Sequence, residues 1–135
     1  MMYLSQAYVY FVIFGDDFSP SEFTKQVNLK PTDFGLKGEK RKSGATLKEC
    51  FWKYQLNKTN ALEELEKSLL NLVDVFKDKV DFINNYMIQN SLKSKCFIVI
   101  ESKNNENNGV EINPNFIRFL HELNASIEID IYSES

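Results

Sequence analysis

Few residues in this 135-residue chain could do covalent or metal chemistry, and their spacing excludes most of it. The single histidine, His121, stands between Leu120 and Glu122 with no second His at helical spacing, and Cys50 and Cys96 lie far apart. Neither pattern makes a zinc site, and His121 reads as a solvated helix position. Nucleophilic catalysis needs a Ser or Cys beside a base, yet no G-x-S-x-G or C-x-x-C occurs. Both cysteines sit in apolar runs, where a thiol stays protonated and inert. A disulfide and two buried free thiols are the alternatives, and a reducing cytosol favours the thiols. Glu128 and Asp130 could form an acid–base pair, but alternating acids on a last strand more often keep an edge soluble. Asp16 and Asp17 with Glu22 offer oxygen ligands to a hard cation. Their spacing is not that of an EF-hand, and a strand-to-helix turn with one Asp on local backbone N–H groups accounts for them. These residues assign no catalytic group, metal site or cofactor.

The loop from Gly35 to Gly44 is the most suggestive stretch. It holds three glycines with Lys37, Glu39, Lys40, Arg41 and Lys42. Glycines let backbone approach an anion that the cations would attract. It is no Walker loop, because no G-K-S/T follows at the required spacing. Lys25 and Lys30, with Phe34 and Trp52 as stacking groups, would extend it toward a nucleic-acid patch. A net charge of -3 argues against that use, and a solvated surface loop is the simpler account. Trp52 shares a strand face with Cys50 and Tyr54 and reads as core. Its indole N–H then needs an acceptor, a carbonyl or an Asp on a neighbouring strand; a ligand-pocket role is the alternative.

The elements that must position these residues follow from periodicity. Residues Ala7 to Phe14 are apolar without a break, so a strand there is covered on both faces or lies centrally with one face on the core. The run has the length of a signal peptide's apolar region. No Lys or Arg precedes it and no small-residue cleavage site follows, so a strand in a cytoplasmic protein is expected. It is also far short of the roughly 20 residues that span a bilayer. Ser19, Pro20 and Glu22 open a short helix to about Asn28, ended by Pro31. Alternation from Leu47 to Leu56 predicts a half-exposed strand.

Asn60 with Glu63 predicts the cap of a long helical pattern from Leu62 to Met87, at gaps of three and four. One helix to Asn90 would be roughly 45 Å long against a strand of about 25 Å, so two helices are expected, broken between Val73 and Asp78 with an Asp capping the second. A second central strand is expected at Lys95 to Ile100 and a polar loop at Asn104 to Gly109. A last helix opens at Asn113-Pro114, and a final strand runs from Ser126 to Tyr132 with Ile127, Ile129 and Ile131 facing in. Length favours a single domain over residues 1–135, large enough to bury roughly two-thirds of its unfolded surface without a metal or disulfide. The fold class is α+β: a mostly antiparallel sheet of four to five strands with helices on one face, close to a ferredoxin-like sandwich. Clean alternation in two strands favours this over a parallel α/β sheet.

Several short motifs occur in a fixed order. They are Gly15-Asp16-Asp17-Phe18-Ser19-Pro20 after a strand, Pro31-Thr32, Lys37-Gly38-Glu39, Trp52 in a strand, a leucine-rich helix from Leu62, and Asp130-Ile131-Tyr132 near the end. Taken together they resemble the small bacterial proteins of the domain-of-unknown-function family DUF4279, over nearly the whole chain. The segment before Pro31, Val27-Asn28-Leu29-Lys30, departs from the leucine-glycine-hydrophobic pattern of that family. The resemblance implies a fold and a cytoplasmic bacterial setting, and transfers no catalytic residue.

The expected function is that of a non-enzymatic protein-binding module whose partner is another protein, an immunity- or antitoxin-like role being one concrete version. Candidate contact residues are Asp16, Asp17, Thr32, Lys37, Glu39, Arg41, Trp52, Asp130 and Tyr132. One alternative is a small anionic-ligand sensor or modest enzyme using the 35–44 loop with Asp16 and Asp17. Another is a structural homodimer joined through the edge strand at Ile127 to Tyr132.

Overall fold

A computed structural model describes residues 3–102 and 109–133. The unbroken apolar run lies in β1 (Tyr3–Gly15), the centre of the molecule. Ala7, Val9, Phe11 and Ile13 on one face are fully buried. On one side β1 pairs antiparallel with β3 (Cys50–Gln55), matching Ile13 to Trp52 and Tyr10 to Gln55. On the other it pairs antiparallel with β5 (Lys93–Ser102), matching Phe11 to Cys96 and Tyr10 to Phe97. The short β2 (Asp33–Gly35) lies outside β3, and β6 (Ser126–Ser133) runs parallel to β5. The sheet order is β2-β3-β1-β5-β6, with β4 (Thr59–Ala61) added beside the start of β1.

The fold is therefore α+β with a mostly antiparallel sheet. The six strands among the described residues exceed the four to five expected from sequence, because β2 and β4 have three residues each, too few to show alternation. The element order also differs from the β-α-β-β-α-β of a ferredoxin-like sandwich.

Among the described residues four helices, α1 (Pro20–Val27), α2 (Leu62–Phe76), α3 (Val80–Asn90) and α4 (Pro114–Glu122), supply apolar faces to the buried side of the sheet. Ser19 Oγ accepts the Glu22 backbone N–H at 3.2 Å, the N-cap its sequence predicts. α1 ends where expected, with Asn28 as the C-cap at a left-handed φ of 56°. The long helical pattern does divide, at residues 77–79. Two cap expectations fail. Asn60 is inside β4 and Ala61 stands at the α2 N-cap without a side-chain bond, because strand pairing with β1 claims the preceding residues. Lys79, not an Asp, precedes α3. Of the polar loop expected at Asn104 to Gly109, residues 104–108 lie outside the described residues.

Trp52 is fully buried, edge-on to Phe23 at 5.0 Å. Its indole N–H donates to Thr24 Oγ1 at 3.0 Å, so the acceptor comes from α1 and not from a neighbouring strand. Thr24 in turn donates to the Pro20 carbonyl at 2.8 Å. Replacing Thr24 by Val keeps the shape and strands a buried donor, which costs about 1–3 kcal/mol. Urea denaturation of Thr24→Val is expected to show that loss, and Thr24→Ser to recover most of it. An unchanged midpoint in Thr24→Val would mean that another acceptor reaches the indole.

Cys50 and Cys96 are both buried free thiols. The greatest departure from expectation concerns β6. Ile127, Ile129 and Ile131 share the helix-side face with Cys96, Ile98 and Ile100 of β5, which are fully buried. The β6 isoleucines are nevertheless 41%, 46% and 58% exposed. The reason is where α4 lands. Phe119 packs on Phe11 and Phe76, with ring centroids near 6.3 and 6.2 Å, and so covers β1 rather than the edge.

Candidate functional site

The residues singled out above divide between the two edges of the sheet. Four strand spacings separate β2 from β6, about 19 Å, so they do not form one site.

At the β2 edge the loop after Gly35 folds back on itself. Lys37 forms an ion pair with Asp16, and this hydrogen bond holds the lysine's pKa above its ordinary value. Arg41 donates to the Phe34 carbonyl at 3.1 Å, stands 3.4 Å from Asp33 and lies 4.9 Å over the Phe51 ring. A Cβ at Gly35 would meet Leu47, Arg41 and Phe51, at 2.4, 2.7 and 2.9 Å, so this glycine makes room for the arginine. Gly38 and Gly44 have φ of 89° and 94°, which their turns require. Glu39 accepts from the Leu36 N–H at 3.2 Å. Thr32 Oγ1 accepts from the Gln55 N–H at 2.8 Å and extends the β2–β3 ladder. The loop's glycines and two of its four cations thus serve its own folding. Lys40, Lys42 and Asp17 remain exposed, and Trp52 is sealed in the core away from them.

At the opposite edge, Glu128, Asp130 and Tyr132 alternate with the three exposed isoleucines. Lys95 lies 2.7 Å from Glu128 and holds that carboxyl below its usual range. Asp130 is pushed the other way, first by desolvation and then by its hydrogen bond with Glu128. Two acids therefore share one lysine. β6 pairs only with β5, so its outer backbone edge is free among the described residues.

Between the edges lies a surface that sequence reasoning missed. The face of the sheet away from the helices carries Tyr8, Tyr10, Val12 and Phe14 of β1, half-buried, with no described element over them. Tyr10 stacks on Phe97 of β5 at 4.6 Å between centroids. Lys53 lies 4.2 Å over Tyr10, Lys58 5.1 Å over Tyr8, and Lys95 5.2 Å over Phe97. Burial raises the Tyr10 hydroxyl to about 12, with the Tyr8 hydroxyl adding to the shift, and burial lowers the Lys53 ammonium. The signal was present: Phe51 breaks the polar side of β3, and β1 is apolar on both faces.

His121 is exposed, and the described residues contain no group of three or more His, Cys, Asp or Glu that could hold a metal. An open groove of about 520 Å³ runs between the end of α3 and the starts of β5 and β6, lined in part by Asn84, Ser91, Lys93 and Asn124, and includes none of the candidate residues. No described helix is long and apolar enough to cross a membrane.

A family described as a domain of unknown function, DUF4279, matches residues 5–134, nearly the whole sequence, and the chain belongs to that family. Neither the curated proteins nor the solved structures provide a match.

Proposed function

We propose that this DUF4279 member is a non-enzymatic, cytoplasmic binding module that recognises another protein by taking an extended segment onto β6. The observation that carries the reading is the free β6 edge with Ile127, Ile129 and Ile131 exposed beside it. An added strand gains affinity from main-chain hydrogen bonds and specificity from alternate side chains. Natural proteins normally blunt such an edge, and among the described residues of β6 the acids Glu128 and Asp130 do so. An immunity- or antitoxin-like partner role is one concrete form.

The other reading, an anionic-ligand sensor or modest enzyme built on the 35–44 loop, is left with Lys40 and Lys42, since Lys37 and Arg41 already face Asp16 and Asp33.

The test compares wild type with Ile129→Lys by native mass spectrometry after gentle capture from the host. Ile129 is exposed enough that lysine should leave the fold intact, within about 0.5 kcal/mol. Wild type is expected to carry a second protein at fixed stoichiometry, and the variant to lose it with its melting temperature preserved. A partner retained by Ile129→Lys, or no partner on wild type, would sink the edge reading.

A further inference from the structure

We infer that two copies of this chain associate through the helix-free faces of their sheets, about a two-fold axis parallel to β1. Charge is distributed unevenly across that face. On the β3 side stand Lys53 and Lys58, while Asp33 farther out is matched by Arg41. On the β6 side stand Glu101, Glu128 and Asp130, with Lys95 and, in the row of Phe14, Lys93 as the compensating cations. Tyr8, Tyr10, Phe97 and Val99 lie between. One margin is in excess by two positive charges and the other by one negative.

A two-fold along the strands, passing between β1 and β5, exchanges β3 with β6 and β1 with β5. It sets Tyr10 against Phe97 of the second copy and Tyr8 over the row of Val99, itself buried beneath its neighbours, by the register that pairs them within one sheet. The Lys53 ammonium, reaching over Tyr10, comes to the row of Phe97 and Glu128, and Lys58, over Tyr8, to the row of Val99 and Asp130. Each basic margin then meets an acidic one. An axis perpendicular to the strands would instead set Lys53 on Lys53. Four strands of the shared region, over the eight steps from Gln6 to Phe14, give a flat footprint of about 19 by 27 Å. That is about 500 Å² per copy and about 1,000 Å² in all, at the low end for a specific interface, so association is expected to be weak and transient.

Two other uses of these residues fit less well. Pairing β6 with β6 of a second copy, centred on Ile129, places Glu128 opposite Asp130, and centred on Asp130 places that residue opposite itself; like charges directly opposed destabilise. Stacking of nucleobases needs free ring faces, but Tyr10 is held between Lys53 and Phe97, and Phe97 between Tyr10 and Lys95.

Sedimentation equilibrium from about 1 to 200 µM at low salt, a range set by that weak interface, should show mass rising toward the dimer, and less so at high salt. Lys53→Glu should weaken association at least about ten-fold, and Lys53→Glu with Glu128→Lys should restore it, since each margin then meets its opposite again. Far-UV circular dichroism checks that each variant folds. A monomer throughout the range overturns the inference. So does a dimer indifferent to Lys53→Glu, or one abolished by Ile129→Lys, which would place the contact at the edge. None of these results depends on whether β6 accepts a foreign strand.

Discussion

Phe76→Ala is expected to lower stability by about 3–5 kcal/mol, the upper range for a buried aromatic truncation. Phe76 is fully buried at the end of α2. Its ring meets Phe11 at 5.1 Å, Tyr54 at 5.4 Å, and Trp52 and Phe119 at 6.2 Å each. It therefore joins β1, β3, α2 and α4 at one point. Truncation removes the transfer free energy of the ring and leaves a space walled by other rigid rings, which relax little. Against a total of about 5–15 kcal/mol for such a domain, this is about a fifth of the stability or more. The melting temperature should fall by on the order of 10–20 °C. Phe34→Ala, at a side chain 49% exposed, should change it little. A loss near 1 kcal/mol in Phe76→Ala would mean that the surrounding rings close over the gap.

The second large effect is alkaline. Burial pushes the Cys96 thiol from an ordinary 9.0 up to about 12. The folded protein then keeps a proton that the unfolded chain releases. The contribution is complete below pH 9 and is lost as pH rises from about 9 toward 12, at up to about 1.4 kcal/mol per pH unit. Tyr10 acts in the same direction between its ordinary 10.0 and about 12, with less weight because it is partly exposed. Unfolding measured from pH 8 to 11 should show a falling midpoint in wild type and a shallower fall in Cys96→Ala. In a Cys50→Ala background, a thiol reagent at pH 8 should label Cys96 at a rate that tracks unfolding, because the native thiolate is about a thousand-fold scarcer than in a free thiol. Rapid labelling of folded protein would show that Cys96 is open to solvent.

The two edges of the sheet illustrate what could be read in advance. Glycines and cations in 35–44 suggested an anion cradle from composition alone. Gly35 instead clears space for Arg41, and Lys37 is taken up by Asp16, 21 positions earlier. Partners that remote leave no local pattern. The aromatic row on the open face went unread for a related reason. An apolar residue in a strand looks the same whether a helix, a neighbouring ring or nothing covers it.

What this sequence determined by itself are features set within a few residues. The Ser19 and Asn113 caps, the division of the long helical pattern, the alternation of Cys50, Trp52 and Tyr54 and the central place of β1 all rest on spacing along the chain. Only the tertiary structure decided the order β2-β3-β1-β5-β6, the parallel run of β6 beside β5, and which apolar faces stay open. The physical reason is that periodicity specifies that a face is apolar, whereas its covering depends on where a connected element comes to rest. α4, held to Phe11 and Phe76 by Phe119, stops short of β6 and leaves its isoleucines to solvent.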